Sequence, residues 1–342
     1  MPAGTNSAMP SSRITDEVQD VARALSPHVV RTVGELLKGN NSRIFRVETE
    51  SGAFALKKYP ASDDRNRLGA EVAALRFFER QGIARTPRTV AVAPNLRYGL
   101  FTWMDGEPVN VVTDDDIGEF SCFQVALDEA IDDQARAEIG EASEACLSGS
   151  RIVSHIERRH RRLEAVKDDF PEFRPFFDGV LVPSLERFED AARGAYAQLG
   201  LEFAHDIAPS FRTLIPSDMG AHNALRAADG HLCFLDFEYF GWDDPLTSIA
   251  NFVMHPGMQL SAGQRDRYRQ VLLAHFQRHE EDARLAALMP LYALRWCAII
   301  LGELLPERWR HRVESNPDFR DWDLVRRAQI AKARAMLATL PP

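Results

Sequence analysis

Three polar residues within 214–252 have the types and the spacing that suit transfer of a phosphoryl group. Asp218 and Asn223 enclose four residues of a loop, and Asp236 follows the apolar run 232–235, which has the character of a buried strand. Phosphoryl transfer uses a carboxylate that orients the attacking hydroxyl, metal ions across the phosphates, and cations for the developing charge. We expect Asp218 to take the first role and Asn223 and Asp236 to hold magnesium.

The wider pattern resembles a known family. It consists of D-x-x-x-x-N at 218–223, an apolar strand, D-F-E at 236–238 and G-W-D-D-P at 241–245. An Asp with an Asn five positions on is common in polar turns, so the downstream D-F-E makes the pattern specific. The whole is similar to the aminoglycoside phosphotransferase and choline kinase superfamily, over roughly residues 33–305 and most strongly over 217–245.

This resemblance implies a fold and a set of roles. The fold would be an α+β, bilobal, protein-kinase-like fold, with a small antiparallel-sheet lobe carrying one main helix and a larger, mostly helical lobe. Asp218 would be the catalytic carboxylate, with Asn223 and Asp236 as magnesium ligands. The residues DFEY at 236–239 are also similar to the choline and ethanolamine kinase branch.

Two positions depart from the family pattern. The family usually has His two residues before the catalytic Asp, where this chain has Pro216 and then Ser217. It also usually has Asp three residues beyond the Pro of G-x-D-P, where this chain has Ser248. In kinase-like folds that helix Asp supports the backbone of the catalytic loop. We therefore infer that the loop is supported differently here and that these changes mark a subgroup.

The nucleotide site is expected near a β-hairpin at 42–59, where alternating apolar residues flank the turn Glu50-Ser51-Gly52. By resemblance, Asn41 and Ser42 belong to the loop that covers the phosphates of ATP, although an ordinary β-turn has the same composition. Lys57 resembles the strand lysine that grips the nucleotide, although most lysines are simply exposed.

A helix is predicted over 68–81, because its apolar residues are spaced along one face and Gly82 suits its end. Glu71 lies on that face and needs a cation, for which Lys57 is the candidate; the alternative is a Glu that reaches water. A strand at 97–103 leads into the resembled hinge, where the backbone from Thr102 to Met104 would recognise adenine.

Composition limits the remaining choices. The chain has 342 residues, 45% of them hydrophobic, and a formal net charge of −9, which favours a two-lobed globular protein and disfavours a nucleic-acid partner. The arginines at 158, 159, 161 and 162 are interpreted as a solvated helix face paired with nearby acids such as Glu157 and Glu164, and a dedicated anion site is the less favoured alternative. The acidic stretch 107–150 is interpreted as exposed helix faces, with attraction of an amine-bearing substrate as the alternative.

The scattered cysteines Cys122, Cys146, Cys233 and Cys297 indicate core residues in a reducing compartment. Neither an export signal nor a membrane span is expected, which predicts a cytoplasmic protein. The predicted organisation is a loose segment at 1–25, a nucleotide-binding lobe at 26–104 and a helical lobe at 105–342 that carries the catalytic and metal loops.

The predicted function is an ATP- and Mg²⁺-dependent phosphotransferase acting on a hydroxyl of a small molecule, such as a sugar, amino sugar or amino alcohol. Candidates for contact with that acceptor are Glu238, Trp242 and Glu303. Choline or ethanolamine kinase and aminoglycoside kinase activities both stay open, as do GTP in place of ATP and the oligomeric state. The alternative from another class is a nucleotide-binding module without transferase activity, suggested by Ser217 and Ser248.

Overall fold

The computed structural model describes residues 15–36, 42–60, 65–277, 280–315 and 321–340. These residues form two compact units, one from the stretches 1–64 and 87–103 and the other from 65–86 and 104–342. Strands dominate the first unit and helices the second, so the α+β prediction is confirmed. Asn41 lies outside the described residues.

The smaller unit is an antiparallel five-stranded sheet with one helix. Its elements are α1 (Asp16–Leu25), β1 (Val30–Leu36), β2 (Arg43–Thr49), β3 (Gly52–Lys58), β4 (Thr89–Ala93) and β5 (Tyr98–Thr102). The strands lie in the order β1-β2-β3-β5-β4. The predicted hairpin is confirmed as β2 and β3, which pair from Thr49 opposite Gly52 to Arg43 opposite Lys58.

Helix α1 corrects the prediction that residues 1–25 are loose. Val18, Val21 and Ala22 are buried on one side of α1, in a core that they share with Phe45 and Leu56 of the sheet. An amphipathic helix of this kind is stabilised by the apolar area that it removes from water. The 16–25 part of the segment is therefore an ordered element of the smaller unit.

The larger unit contains the remaining helices and two small sheets. Its helices are α2 (Arg67–Gln81), α3 (Asp114–Glu129), α4 (Asp133–Glu138), α5 (Gly149–Glu164), α6 (Arg174–Phe176), α7 (Val182–Gln198), α8 (Pro245–Met254), α9 (Ala262–His275), α10 (Glu281–Ile300), α11 (Pro306–Ser315) and α12 (Trp322–Ala338). Its strands are β6 (Glu107–Pro108), β7 (Thr213–Ile215), β8 (Ala224–Arg226), β9 (Leu232–Phe234) and β10 (Gly241–Asp243). They form the sheets β6-β8-β9 and β10-β7.

Helix α2 begins one residue before the predicted range 68–81 and ends where predicted, but it does not belong to the predicted lobe. Gly82 ends it in a left-handed conformation, as expected of a C-terminal glycine. We assigned 26–104 to one lobe, whereas α2 packs with the larger unit through Phe78, whose ring contacts those of Phe123, Phe237 and Phe240. Aromatic edge-to-face packing of this extent explains the assignment.

Helix α10 is the central helix of the larger unit and packs against α5, α7, α8 and α12. By length and composition alone, Glu281–Leu304 could cross a membrane, but 67% of its most apolar window is buried inside the protein. That burial is typical of the core helix of a soluble protein.

The cysteines are free among the described residues, and three of the four are buried as predicted. Cys122 is exposed, so its assignment to the core was wrong. It follows the buried Phe120 by two positions, and two helical residues turn by about 200°, which puts Cys122 on the outer face of α3.

Candidate active site

The hairpin of β8 and β9 places Asn223 beside the residue that precedes Asp236. Asn223 comes directly before β8 and Asp236 follows β9 by two positions, and the strands pair antiparallel. The N–H of Leu235 donates to the backbone oxygen of Asn223 at 2.8 Å. Because paired antiparallel strands bring such flanking residues to one end, the hairpin holds the two predicted magnesium ligands close together.

Asp218 is connected to the same end by the side chain of Asn223. Its Nδ2 donates to the backbone oxygen of Asp218 at 2.9 Å. This bond fixes the orientation of the amide and leaves its oxygen, Oδ1, as an acceptor for another group. The loop therefore brings together the three residues that the sequence singled out, while their roles stay predictions.

The Asp218 carboxylate faces a pair of histidines. Its Oδ1 lies 3.3 Å from Nε2 of His222, and the His222 ring stacks on that of His255 at 4.5 Å with an interplanar angle of 9°. Burial works to raise the pKa of Asp218, but the hydrogen bond and charge of His222, with smaller effects of His255 and Asn223, hold it below its usual range. The carboxylate is therefore ionised at neutral pH.

His255 is a neutral hydrogen-bond donor in this cluster. Burial and the nearby His222 lower the pKa of His255 to about 4. Its Nδ1 accepts from the N–H of Gly257 at 3.1 Å, which assigns the ring proton to Nε2. Ligand atoms of Asp218, His222 and His255 lie within 4.8 Å of one another, but a protonated Nε2 suits a hydrogen bond to a substrate better than a bond to a metal.

Asp236 belongs to a second group, of three carboxylates. Ligand atoms of Glu71, Asp236 and Glu238 lie within 4.8 Å of one another, and the side chains of Glu71 and Glu238 are buried. Arg67 forms an ion pair with Glu238 at 3.2 Å. Asp236 has a φ of +64°, a left-handed conformation that Asp tolerates better than most residues. Close carboxylate oxygens of this kind fit a hard cation such as magnesium.

The loop that contains Asp218 is supported from α8, but not through the residue at position 248. Asn251 Nδ2 donates to the backbone oxygen of Ser217 at 3.2 Å, whereas the hydroxyl of Ser248 donates to Pro245 of its own helix at 2.8 Å. The inference of a different support is therefore confirmed. The supporting residue lies three positions after Ser248, nearly one helical turn further along.

Residues 32–288 match the phosphotransferase enzyme family, which is three quarters of the chain. The chain belongs to this family. The predicted recognition and the prediction of a small-molecule phosphotransferase are thereby confirmed. No curated protein sequence matches this phosphotransferase.

Solved structures with similar folds are kinases and phosphotransferases. A choline kinase from Cryptosporidium parvum has 12% identity and a TM-score of 0.60, covering 95% of this chain and 96% of its own. A choline/ethanolamine kinase family protein from Mesorhizobium loti has 18% identity and a TM-score of 0.59, covering 94% of both chains. A spectinomycin phosphotransferase, in complex with ADP and spectinomycin, has 11% identity and a TM-score of 0.61, covering 95% and 99%. These similarities confirm the kinase-like fold.

The predicted nucleotide residues of this phosphotransferase lie partly in each unit. Lys57 is buried on β3, with its Nζ 5.0 Å from the centre of the Tyr59 ring, so the alternative of an exposed lysine is wrong. Ser42 is buried directly before β2. The N–H of Thr102 donates to the backbone oxygen of Arg88 at 3.0 Å, so this donor is already used within the smaller unit. Met104 begins a segment of the larger unit. The pairing of Lys57 with Glu71 stays a prediction.

The predicted acceptor residues have well-defined partners in the larger unit. Glu238 belongs to the carboxylate group described above. Trp242 is buried on β10, where its ring lies 5.4 Å from the guanidinium of Arg136. Glu303 is not inside α10 but in the turn after it, and forms an ion pair with Arg312 at 2.6 Å.

The ring of Trp296 contacts the histidine pair beside Asp218, a contact that the sequence does not indicate. Its ring lies 5.0 Å from that of His255 at 83°. Trp296 stands in the apolar stretch of α10, and the sequence alone does not show which loop that face of the helix meets. Its buried Nε1 has no hydrogen-bond partner within the described ranges, so it is available as a donor.

Proposed function

We propose that this phosphotransferase moves the γ-phosphoryl group of ATP to a hydroxyl of a small molecule, with magnesium. The observation that supports the proposal best is the convergence of the Asp218, Asn223 and Asp236 segments through two hydrogen bonds. A carboxylate for the hydroxyl and oxygen ligands for the metal are the groups that this reaction requires.

Asp218 would orient the acceptor hydroxyl and receive its proton during transfer. Its low pKa supports this role, because an ionised carboxylate accepts a hydrogen bond from the hydroxyl. His222 contacts Oδ1 of the Asp218 carboxylate, and this contact sets the direction in which the other oxygen, Oδ2, points. His255, with its proton on Nε2, would donate to the acceptor molecule beside the reacting hydroxyl.

Asn223 and Asp236 would hold the magnesium ion. Asn223 offers Oδ1, because its Nδ2 is committed to Asp218, and Asp236 offers a carboxylate close to those of Glu71 and Glu238. Oxygen donors and excess negative charge fit this cation. When bound, magnesium neutralises charge on the phosphates of the nucleotide.

The nucleotide would be held by Lys57, with Glu71 fixing that lysine, and by the segment of Asn41 and Ser42 and the backbone near Thr102 and Met104. The burial of Lys57 supports this, because a buried ammonium group needs an anionic partner. We propose ATP rather than GTP as the nucleotide, and the family resemblance is the only basis for this choice. The expected compartment is the cytoplasm, which suits the free cysteines.

The test is phosphoryl transfer by purified protein to a panel of sugars, amino sugars, amino alcohols and aminoglycosides. Asp218→Asn keeps the size of the side chain and removes its charge, so kcat should fall by about 10²- to 10⁴-fold while magnesium-dependent nucleotide binding persists. Asp229→Asn, at an acid paired with Arg85 on the surface, is the control and should be as active as wild type.

Transfer by Asp218→Asn at the wild-type rate would show that the role assignment is wrong. Nucleotide binding by wild type without turnover on any acceptor would favour the binding module. The chain has candidates for both proposed magnesium ligands, Asn223 and Asp236, which favours an enzyme over a nucleotide-binding module.

A further inference from the structure

One carboxylate in the larger unit meets four guanidinium groups. Glu144 lies 2.6 Å from Arg158, 3.1 Å from Arg65 and 3.6 Å from Arg295. Arg159 forms a fourth, short contact with the same carboxylate. We call Arg65, Arg158, Arg159 and Arg295 the arginine cluster. It is assembled from α5, α10 and the segment before α2, so its members are distant in sequence.

Glu144 alone does not balance the charges of Arg158, Arg159 and Arg295, the members of the cluster on α5 and α10. Its carboxylate carries one charge, whereas arginine stays protonated at any physiological pH. The side chains of Arg159 and Arg295 are only 16% and 7% exposed, so solvent does little to screen their charges. Asp243 is another carboxyl group whose charge reaches Arg295; burial raises its pKa to about 7, and even when ionised it adds only one negative charge to that of Glu144.

Two titrating groups respond to this positive potential. Despite its burial, the pKa of Glu144 is lowered to about 2, chiefly by Arg159 and Arg295. Burial lowers the pKa of His155 to about 4, with further lowering by Arg295, which keeps that histidine neutral. The site therefore favours negative charge and rejects further positive charge.

The backbone at Glu144 is also unusual. Its φ of +61° is a left-handed conformation that residues with a side chain adopt at a cost of energy. Neighbouring bonds maintain it: the N–H of Ala145 donates to Ala142, and the N–H of Cys146 donates to the carboxylate of Asp243. The fold thus holds Glu144 among the arginines, where it orients them.

The arginine cluster connects to the catalytic loop. Arg295 donates to Oδ1 of Asn251 at 3.2 Å, and Asn251 donates to the backbone of Ser217, the residue before Asp218. The next residue on α10, Trp296, contacts the histidine pair beside Asp218. In the described part of the chain, Nε of Arg295 and Nε1 of Trp296 are buried donors without a hydrogen-bond partner.

We propose that the arginine cluster binds an anionic group, a phosphate or a carboxylate, on the acceptor whose hydroxyl is phosphorylated. Guanidinium groups form charge-assisted and often bidentate bonds with both anions. The anion would supply the charge that Glu144 lacks. This inference rests on the proposed transfer reaction and names the acceptor class: an acidic hydroxy compound rather than an amine.

Binding can be tested without turnover. The thermal midpoint of the full chain is measured with a non-hydrolysable ATP analogue and magnesium, in inorganic phosphate, in malonate, and in chloride of equal ionic strength. Arg158→Gln removes one member of the cluster. Its control is Arg162→Gln, on the same helix, because both side chains are 50% exposed and Arg162 is paired with Glu307 instead.

We expect phosphate or malonate to raise the thermal midpoint of wild type by about 2 °C or more relative to chloride, and to raise that of Arg162→Gln equally. The rise for Arg158→Gln should be clearly smaller. The anion that gives the larger rise in thermal midpoint shows whether the site prefers phosphate or carboxylate. Equal responses of the two variants, including no response in either, would overturn the proposal and leave the arginines as a structural network.

Turnover gives the second test, with a hexose, its amino sugar, its uronic acid and its 6-phosphate as matched acceptors. We expect kcat/KM for one acidic acceptor to exceed that for the hexose about tenfold or more, and Arg158→Gln to lose this preference mainly through KM. Preference for the amino sugar would overturn the proposal. If none is phosphorylated, the transfer assignment is in question, and the binding test still decides on the anion site.

Discussion

Asn251 donates its side-chain amide to the backbone oxygen of Ser217 at 3.2 Å, directly before the carboxylate proposed to orient the acceptor. The oxygen of the same amide accepts from Arg295, which fixes the direction in which the amide points. Ser217 has a φ of +65°, so this loop conformation needs such support. The bond therefore links α8 and α10 to the position of Asp218.

Replacing Asn251 by Asp should lower kcat about tenfold, on whichever acceptor the wild type uses. Asp keeps an oxygen for Arg295 but removes the donor to Ser217, which leaves a backbone oxygen facing a carboxylate. The control is Ser248→Ala, because that hydroxyl bonds only to Pro245 of its own helix among the described residues. A wild-type kcat for Asn251→Asp would mean that the loop does not depend on this bond.

Replacing Asp236 by Asn should remove magnesium-dependent stabilisation. Asn tolerates the left-handed conformation that Asp236 adopts, so the backbone is preserved. One negative charge fewer beside Glu71 and Glu238 should leave the thermal midpoint without magnesium equal to or above that of wild type. Added magnesium should raise the midpoint of wild type but not of the variant, and transfer should fall at least about 10²-fold. A magnesium response in Asp236→Asn equal to that of wild type would remove Asp236 from the metal site.

Local patterns in the sequence predicted the elements that carry the site. The β2–β3 hairpin, helix α2 and the Asp218 loop follow from periodicity, turn residues and spacing, all of which act over a few positions. The same patterns do not show what a buried face packs against. The apolar face of α2 was predicted from its spacing, but Phe237 and Phe240, the aromatic partners of Phe78 on that helix, are more than 150 positions away, and they determine the unit to which α2 belongs.

The predicted acidic partners of the arginines on α5 were wrong for the same reason. Helical spacing favoured Glu157 and Glu164 as partners of the arginines on α5, whereas Arg158 and Arg159 both contact Glu144. Neighbours at three or four positions contribute only a few tenths of a kcal/mol in solvent, so a carboxylate held in place by the fold outcompetes them. This tertiary partner is invisible in the helix pattern.

Trp296 and Trp242 should respond differently to replacement by Phe. Trp296 contacts His255, so loss of its larger ring should raise the KM for the acceptor by about two- to tenfold. Trp242 is packed on β10, so its replacement should lower the free energy of unfolding by about 1–3 kcal/mol and leave KM unchanged. Steady-state kinetics and denaturant unfolding measure the two effects. An unchanged KM for Trp296→Phe would place the acceptor elsewhere.

Acid should destabilise the protein partly through His160. Burial lowers the pKa of this histidine from 6.5 to about 4, so at pH 5 the unfolded chain binds a proton that the folded one does not. Stability is therefore lost as the pH falls from 6.5 towards 4, by about 2 kcal/mol between pH 7 and pH 5. His160→Phe, which keeps the contact with Phe177, should reduce that loss, whereas the exposed His205→Gln should not. Equal acid sensitivity of wild type and His160→Phe in urea unfolding would show that His160 is already protonated in the folded state at pH 5.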